Sequence, residues 1–266
     1  MVAKLVKKPI AIRNSLVVIA TLVAALALSI LLPRTELIAQ AVRDWPREWR
    51  WCIQPLIWFG VMLVGAWVLA RLSPLALARE AGLVLPRARI ARAFVFASLC
   101  SFPMLILGLF CGLKSTEPSS SLWNTALIAP ISEEALLRGF AFCLLVRYGH
   151  WRVWPAGIVT GLIFGAMHLV NRNVQAMTFM GQLSWVALIA AGGIAFAWLF
   201  YRWRWNLWVA IFLHALMNAW YQLFDLAASP LGSVGVTVSR IAVITVAITA
   251  TEIARARRNS GQPSIG

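Results

Sequence analysis

Six polar residues stand in apolar surroundings at spacings that could do chemistry: Glu133, Glu134 and Arg138 in the run Ile131-Ser132-Glu133-Glu134-Ala135-Leu136-Leu137-Arg138, then His168, then His214 with Asn218. On a helix, residues four apart share a face, so Glu134 and Arg138 can pair directly. Glu133 points about 100° away from its neighbour. One carboxylate therefore has a counter-ion on its own helix, while the other is free to meet other helices. That division suits one carboxylate that stays ionised in its pair and one that exchanges a proton. An ion network that only fixes helix packing is the competing reading. Taken singly, His168 and His214 read equally as hydrogen-bonded packing residues.

A glutamate flanked by imidazoles can hold and deprotonate a water. A further His and Asn can donate hydrogen bonds to the oxyanion that forms when that water attacks an amide carbonyl. The chemistry is peptide hydrolysis without a covalent enzyme intermediate. A serine nucleophile fails for want of a GxSxG turn, because Ser132, Ser184 and the Ser119, Ser120 and Ser121 run lack a suitably spaced base. Cys52, Cys100, Cys111 and Cys143 sit within or at the ends of apolar segments without CxxC spacing and read as small buried hydrophobes. Zinc is the chemical competitor, since one Glu and two His make a three-ligand catalytic set. HExxH is absent, however, and the two His belong to different helices. No cofactor is expected, with zinc as the alternative.

The elements that must carry these groups are membrane spans. The 266 residues are 61% hydrophobic and only 12% charged, with a mean hydropathy of +0.79, against about 25% charged residues in soluble domains. Disordered, coiled-coil and secreted disulfide-rich classes are excluded. The net charge of +15 does not mark a nucleic-acid groove, because the basic residues are scattered between apolar runs and form no face interleaved with aromatics. Runs near 14–32, 51–70, 91–113, 122–147, 153–170, 177–200, 206–226 and 233–251 predict an all-α polytopic fold of about eight spans around a polar active-site cavity. The polar segment from Lys114 to Ser121 separates the third and fourth, with Ser121 or Asn124 as candidate caps. The chain reads as a single integral-membrane domain over 1–266, with the motif-bearing core at 122–226 and a short frayed tail from Arg255. The basic start, Lys4, Lys7, Lys8 and Arg13, reads as an uncleaved signal-anchor.

With an even number of spans, 16 Lys and Arg fall on the side of the termini and 7 opposite (Arg34, Arg43, Arg47, Arg50, Lys114, Arg172 and Arg240). This predicts a multi-pass cell-membrane protein with both termini cytoplasmic. In that topology Glu133, His168 and Asn218 reach depths agreeing within about 6 Å, with His214 one turn nearer the inner face. Gly157, Gly161 and Gly165 form a small-residue stripe for close helix approach. His214, Asn218, Tyr221, Gln222 and Asp225 form a polar stripe that must face a cavity. Asp225 reads as an interfacial charge.

The ordered set Glu133-Glu134-x-x-x-Arg138, Phe164-x-x-x-His168 and His214-x-x-x-Asn218, with the approach Asn206-Leu207-Trp208-x-Ala210-x-x-x-His214, resembles the three motifs of the CPBP intramembrane proteases (CAAX proteases and bacteriocin-processing enzymes) over about residues 122–226. The resemblance implies a glutamic-type intramembrane endopeptidase acting on a membrane-associated protein or peptide. By position it implies Glu133 as general base, His168 as a water ligand, and His214 and Asn218 as the oxyanion site. Glu134, Arg138 and Phe164 would be supporting residues. Two other readings stand beside it: a non-catalytic binding, immunity or scaffold protein of the same family, and a proton-coupled transporter, although no internal repeat of the transporter kind is present.

Overall fold

The computed structural model describes residues 2–114, 122–226 and 232–260, and the described part is helical throughout apart from turns and one isolated antiparallel bridge between Leu113 and Phe224. The Ser115 to Ser121 segment, with Ser121 as a candidate cap, lies outside the described residues, and the other candidate cap, Asn124, stands inside a helix that already runs from residue 122. The tail expected to fray from Arg255 is instead helical to Ser260, and the residues beyond it lie outside the described ones. The principal helices are α1 (Val2–Leu31), α2 (Ile53–Ala70), α3 (Arg87–Cys100), α4 (Phe102–Cys111), α5 (residues 122–147), α6 (Val153–Met167), α7 (Phe179–Arg202), α8 (Leu207–Leu223) and α9 (Gly232–Ser260).

All eight expected segments are helical. Among the described residues, five helices are long and apolar enough to cross a membrane, or six if α3 and α4 count as one span. Only 28–33% of each span is buried inside the protein, so most of its apolar surface faces outward, as bilayer contact requires. The expected run 91–113 is not one straight helix: it breaks at Ser101 with a bend of 47°. Pro103, in the first turn of α4, lacks the N–H that would continue the ladder. The two expected segments outside those six are α5, with three charged residues at its centre, and α8, which is 17 residues long. They hold five of the six polar candidates.

Helix α5 is the middle of the molecule, touched by α1, α2, α6, α7 and α8. Every residue from Glu134 to Leu145 is buried, and a helix buried on all its faces is one that neighbours surround. Its backbone is not uniform. Residues Asn124–Ile128 and Ala135–Phe142 are wound as π-helix on either side of an α-helical stretch, Ala129–Glu134. Pro130 offers no N–H to the carbonyl four residues back, and widened turns restore pairing at such a break. The two glutamates sit at the end of the ordinary stretch, between the widened ones.

Helices α6 and α7 form the most extensive pairing, and two of the three stripe glycines explain it. A Cβ on Gly165 would lie 2.5 Å from the Val186 carbonyl oxygen, and one on Gly161 would lie 2.9 Å from that of Ala190. Gly157 faces the same helix with room for a methyl group, 3.8 Å from its nearest neighbours. Cys100 and Cys143 are buried as expected, whereas Cys52 and Cys111 are only partly so.

Candidate active site

Five helices converge on one cavity of about 510 Å³. Helix α5 brings Glu133 to it, the C-terminal end of α6 brings Phe164 and His168, and α8 brings His214 and Asn218, while α7 and α9 supply the remaining walls. Glu134 and Arg138 stand behind this surface.

The two adjacent glutamates separate as helical geometry requires. Glu134 is fully buried, and its Oε1 accepts a hydrogen bond from Nη1 of Arg138 at 3.0 Å. Glu133 keeps 20% of its side-chain exposure and borders the cavity. The Arg138 guanidinium is itself buried, lying 4.6 Å from the ring centre of Phe164 and 5.6 Å from that of Phe196. Ring faces attract a desolvated cation. Space for it comes from Gly193 on α7, where a Cβ would stand 3.0 Å from Nη2 of Arg138.

Glu134 has a second partner that its pairing with Arg138 did not foretell. The same Oε1 lies 2.9 Å from Nδ1 of His214. A carboxylate only accepts, so Nδ1 carries the proton and donates, which turns Nε2 toward Glu133, 3.9 Å from its Oε2. His168 is held by the same logic. Its Nδ1 donates to the Phe164 carbonyl oxygen at 2.9 Å, leaving Nε2 as the ring's other polar atom on a residue that borders the cavity. This placement arises where α6 gives way to a 3₁₀ turn at His168–Val170. Phe164 stands edge-on to both imidazoles, with ring centres 5.0 Å from His168 and 6.2 Å from His214.

Asn218 uses one amide N–H to donate to the Thr125 carbonyl oxygen at 2.8 Å. An amide has two N–H donors, so the second remains for the cavity. Helix α8 is started by Asn206, whose side chain accepts from the Trp208 N–H at 3.2 Å, in keeping with its capping chemistry. The lower part of the expected α8 stripe does not reach the cavity: Tyr221, Gln222 and Asp225 are absent from its lining, and Asp225 lies beyond the helix, its N–H donating to the Gly112 carbonyl oxygen.

Sequence reasoning missed three groups. Arg240, counted among the outer loop charges, is within α9 and lines the cavity, with its guanidinium 4.9 Å from the Tyr221 ring centre and 5.9 Å from that of Trp185. Its position in the middle of an apolar run was the available signal. Phe196 and Gly193, which cradle Arg138, had none beyond the Gly192-Gly193 pair in an apolar helix. Among the described residues no group of three or more His, Cys, Asp or Glu is disposed to hold a metal ion.

Residues 115–220 match the family model described as type II CAAX prenyl endopeptidase Rce1-like. The chain is 29% identical over 102 residues to the Bacillus subtilis (strain 168) protein named "Putative membrane peptidase YdiL", covering 38% of this chain and 36% of that one. It is 27% identical over 89 residues to the Escherichia coli protein named "Uncharacterized 24.3 kDa protein", covering 32% and 41%. The chain thus spans less than half the length of either relative.

Proposed function

We propose, from the chain's membership of the CPBP and CAAX protease family through residues 115–220, that it is an intramembrane endopeptidase in which Glu133 activates a water to hydrolyse a peptide bond of a membrane-associated protein or peptide. The observation that carries this reading is the shared cavity: Glu133, His168, His214 and Asn218, contributed by three helices, all border one space. Such convergence of scarce polar groups in a membrane is expensive unless it serves a function.

Glu133 takes a proton from the water while Nε2 of His168 accepts its other hydrogen bond, aiming the oxygen at the scissile carbonyl. His214 and the second N–H of Asn218 donate to the oxygen on which negative charge develops. His214 can donate from Nε2 only as the imidazolium. The Glu134 carboxylate beside its Nδ1 supplies the negative charge that favours that form. Glu133 then returns its proton to the departing amine. No metal takes part in these steps. The orientation has both termini cytoplasmic, and moving Arg240 from the outer loops into α9 sharpens the charge asymmetry on which that rests.

The experiment is comparative membrane proteomics of cells carrying the wild type or Glu133→Gln. A membrane-associated cleavage product that disappears in the variant supports endopeptidase activity, and identical peptide patterns at equal expression count against it.

A further inference from the structure

A second cavity, of about 840 Å³, sits at one end of the bundle, where the start of α3, the turn from α7 into α8 and the last turns of α9 meet. It shares no lining residue with the Glu133 cavity. Six arginines line it: Arg89 and Arg92 on α3, Arg202 and Arg204 at the turn, and Arg257 and Arg258 on α9. Glu252 is the acidic group beside them, and it is engaged by Arg202 at 3.3 Å and Arg255 at 3.0 Å. Among the described residues no carboxylate lies within ion-pair distance of the other five lining arginines.

The wall is constructed rather than incidental. Nη2 of Arg89 donates to the carbonyl oxygens of Arg204 at 3.0 Å and Trp203 at 3.3 Å, and Asn206 Nδ2 donates back to the Arg89 carbonyl oxygen at 3.1 Å. Arg204 and Trp205 both have left-handed backbone, with φ of 55° and 57°, which residues with a Cβ adopt rarely. A strained turn stapled to a neighbouring helix is thus what holds Arg204 at the rim. Further into the bundle the lining becomes apolar: Phe96 lies one turn inward of Arg92, and Ala250 about two turns inward of Arg257. Trp203 and the half-exposed Ile253 complete that part.

The geometry points to a binding site for the phosphodiester headgroup of an anionic phospholipid, with its acyl chains along Phe96, Ala250 and Ile253. Guanidinium groups match phosphate oxygens in a bidentate fashion, and a basic pocket between membrane helices is the form such recognition takes. Free phosphate shares the headgroup chemistry but has no use for the apolar lining, which runs into the candidate span Val234–Arg258. This inference stands apart from the proposed proteolysis and does not depend on it.

Native mass spectrometry of the detergent-released full chain, with added phosphatidylglycerol, phosphatidylcholine or inorganic phosphate, tests it. The wild type should bind phosphatidylglycerol at least roughly tenfold tighter than phosphatidylcholine, and Arg92→Gln with Arg257→Gln should weaken that binding roughly thirtyfold. Arg79→Gln with Arg152→Gln, which removes two exposed arginines elsewhere, should leave it unchanged. Equal wild-type affinity for the two lipids overturns the proposal, as does equal weakening in both double variants, which would mark a diffuse surface potential. Displacement of the lipid by an equal concentration of inorganic phosphate also overturns it, by identifying a free-anion site. The wild-type comparisons need no substitution and decide the matter even if a variant misfolds.

Discussion

Glu134 and His214, 80 positions apart in sequence, are joined by a 2.9 Å hydrogen bond between Oε1 and Nδ1. That contact ties the first motif to the third across the helix interface and fixes which imidazole nitrogen faces Glu133. It also gives the two adjacent glutamates opposite consequences when they are replaced.

Glu134→Ala should destabilise the protein strongly, because it strands the buried Arg138 guanidinium and frees the His214 ring. Breaking a buried pair by removing one partner costs about 3–5 kcal/mol. Glu133→Ala, at the cavity edge, should leave thermal unfolding in detergent near that of the wild type. Equal melting losses in the two variants would contradict this division of labour.

Asn218→Ala should lower kcat by roughly 10²–10³-fold with little change in KM, the signature of losing a donor to the oxyanion. A rise in KM at constant kcat would instead make Asn218 a substrate-binding group.

Close contact of α6 with α7 holds His168 in place, so Gly165→Val should lower stability and activity together, with its new Cβ 2.5 Å from a backbone oxygen. Gly157→Ala has 3.8 Å of clearance and should melt like the wild type. Equal sensitivity at the two positions would mean that the glycine stripe acts through something other than contact distance.

Much of this site was legible because the chemistry is local. The four-residue spacing of Glu134 and Arg138, and of His214 and Asn218, states which groups share a helical face, and the scarcity of charge in apolar runs identifies where to look. What sequence could not give is contact across helices: the Glu134 to His214 bond, the Phe164 and Phe196 rings around Arg138 and the room left by Gly193 all depend on packing. Local irregularity was also hidden. Pro103 bends the expected third span, and the π-helical turns beside Pro130 rotate the motif helix in a way that simple 3.6-residue periodicity does not describe. Arg240 was misplaced because it was counted with the outer loop charges although the expected span 233–251 runs through it.

Reporter fusions at the two ends of the chain should place both in the cytoplasm, following the charge asymmetry. An external terminus at either end would break the even span count or reverse the side from which the cavity is reached.

Elemental analysis of active, detergent-purified protein should find no stoichiometric zinc, since in the proposed mechanism Glu133 activates the water directly. Stoichiometric zinc whose removal abolishes cleavage and whose return restores it would reassign Glu133, His168 and His214 as ligands.

The central claim is that the Glu133 carboxylate activates the water, and the rate of peptide-bond cleavage by purified Glu133→Gln, on a substrate identified from the proteomic comparison, tests it most directly. Gln keeps the size of the side chain and removes the base, so a variant that melts like the wild type should cleave about 10²–10⁴-fold more slowly. Cleavage by that folded variant at the wild-type rate would contradict the account.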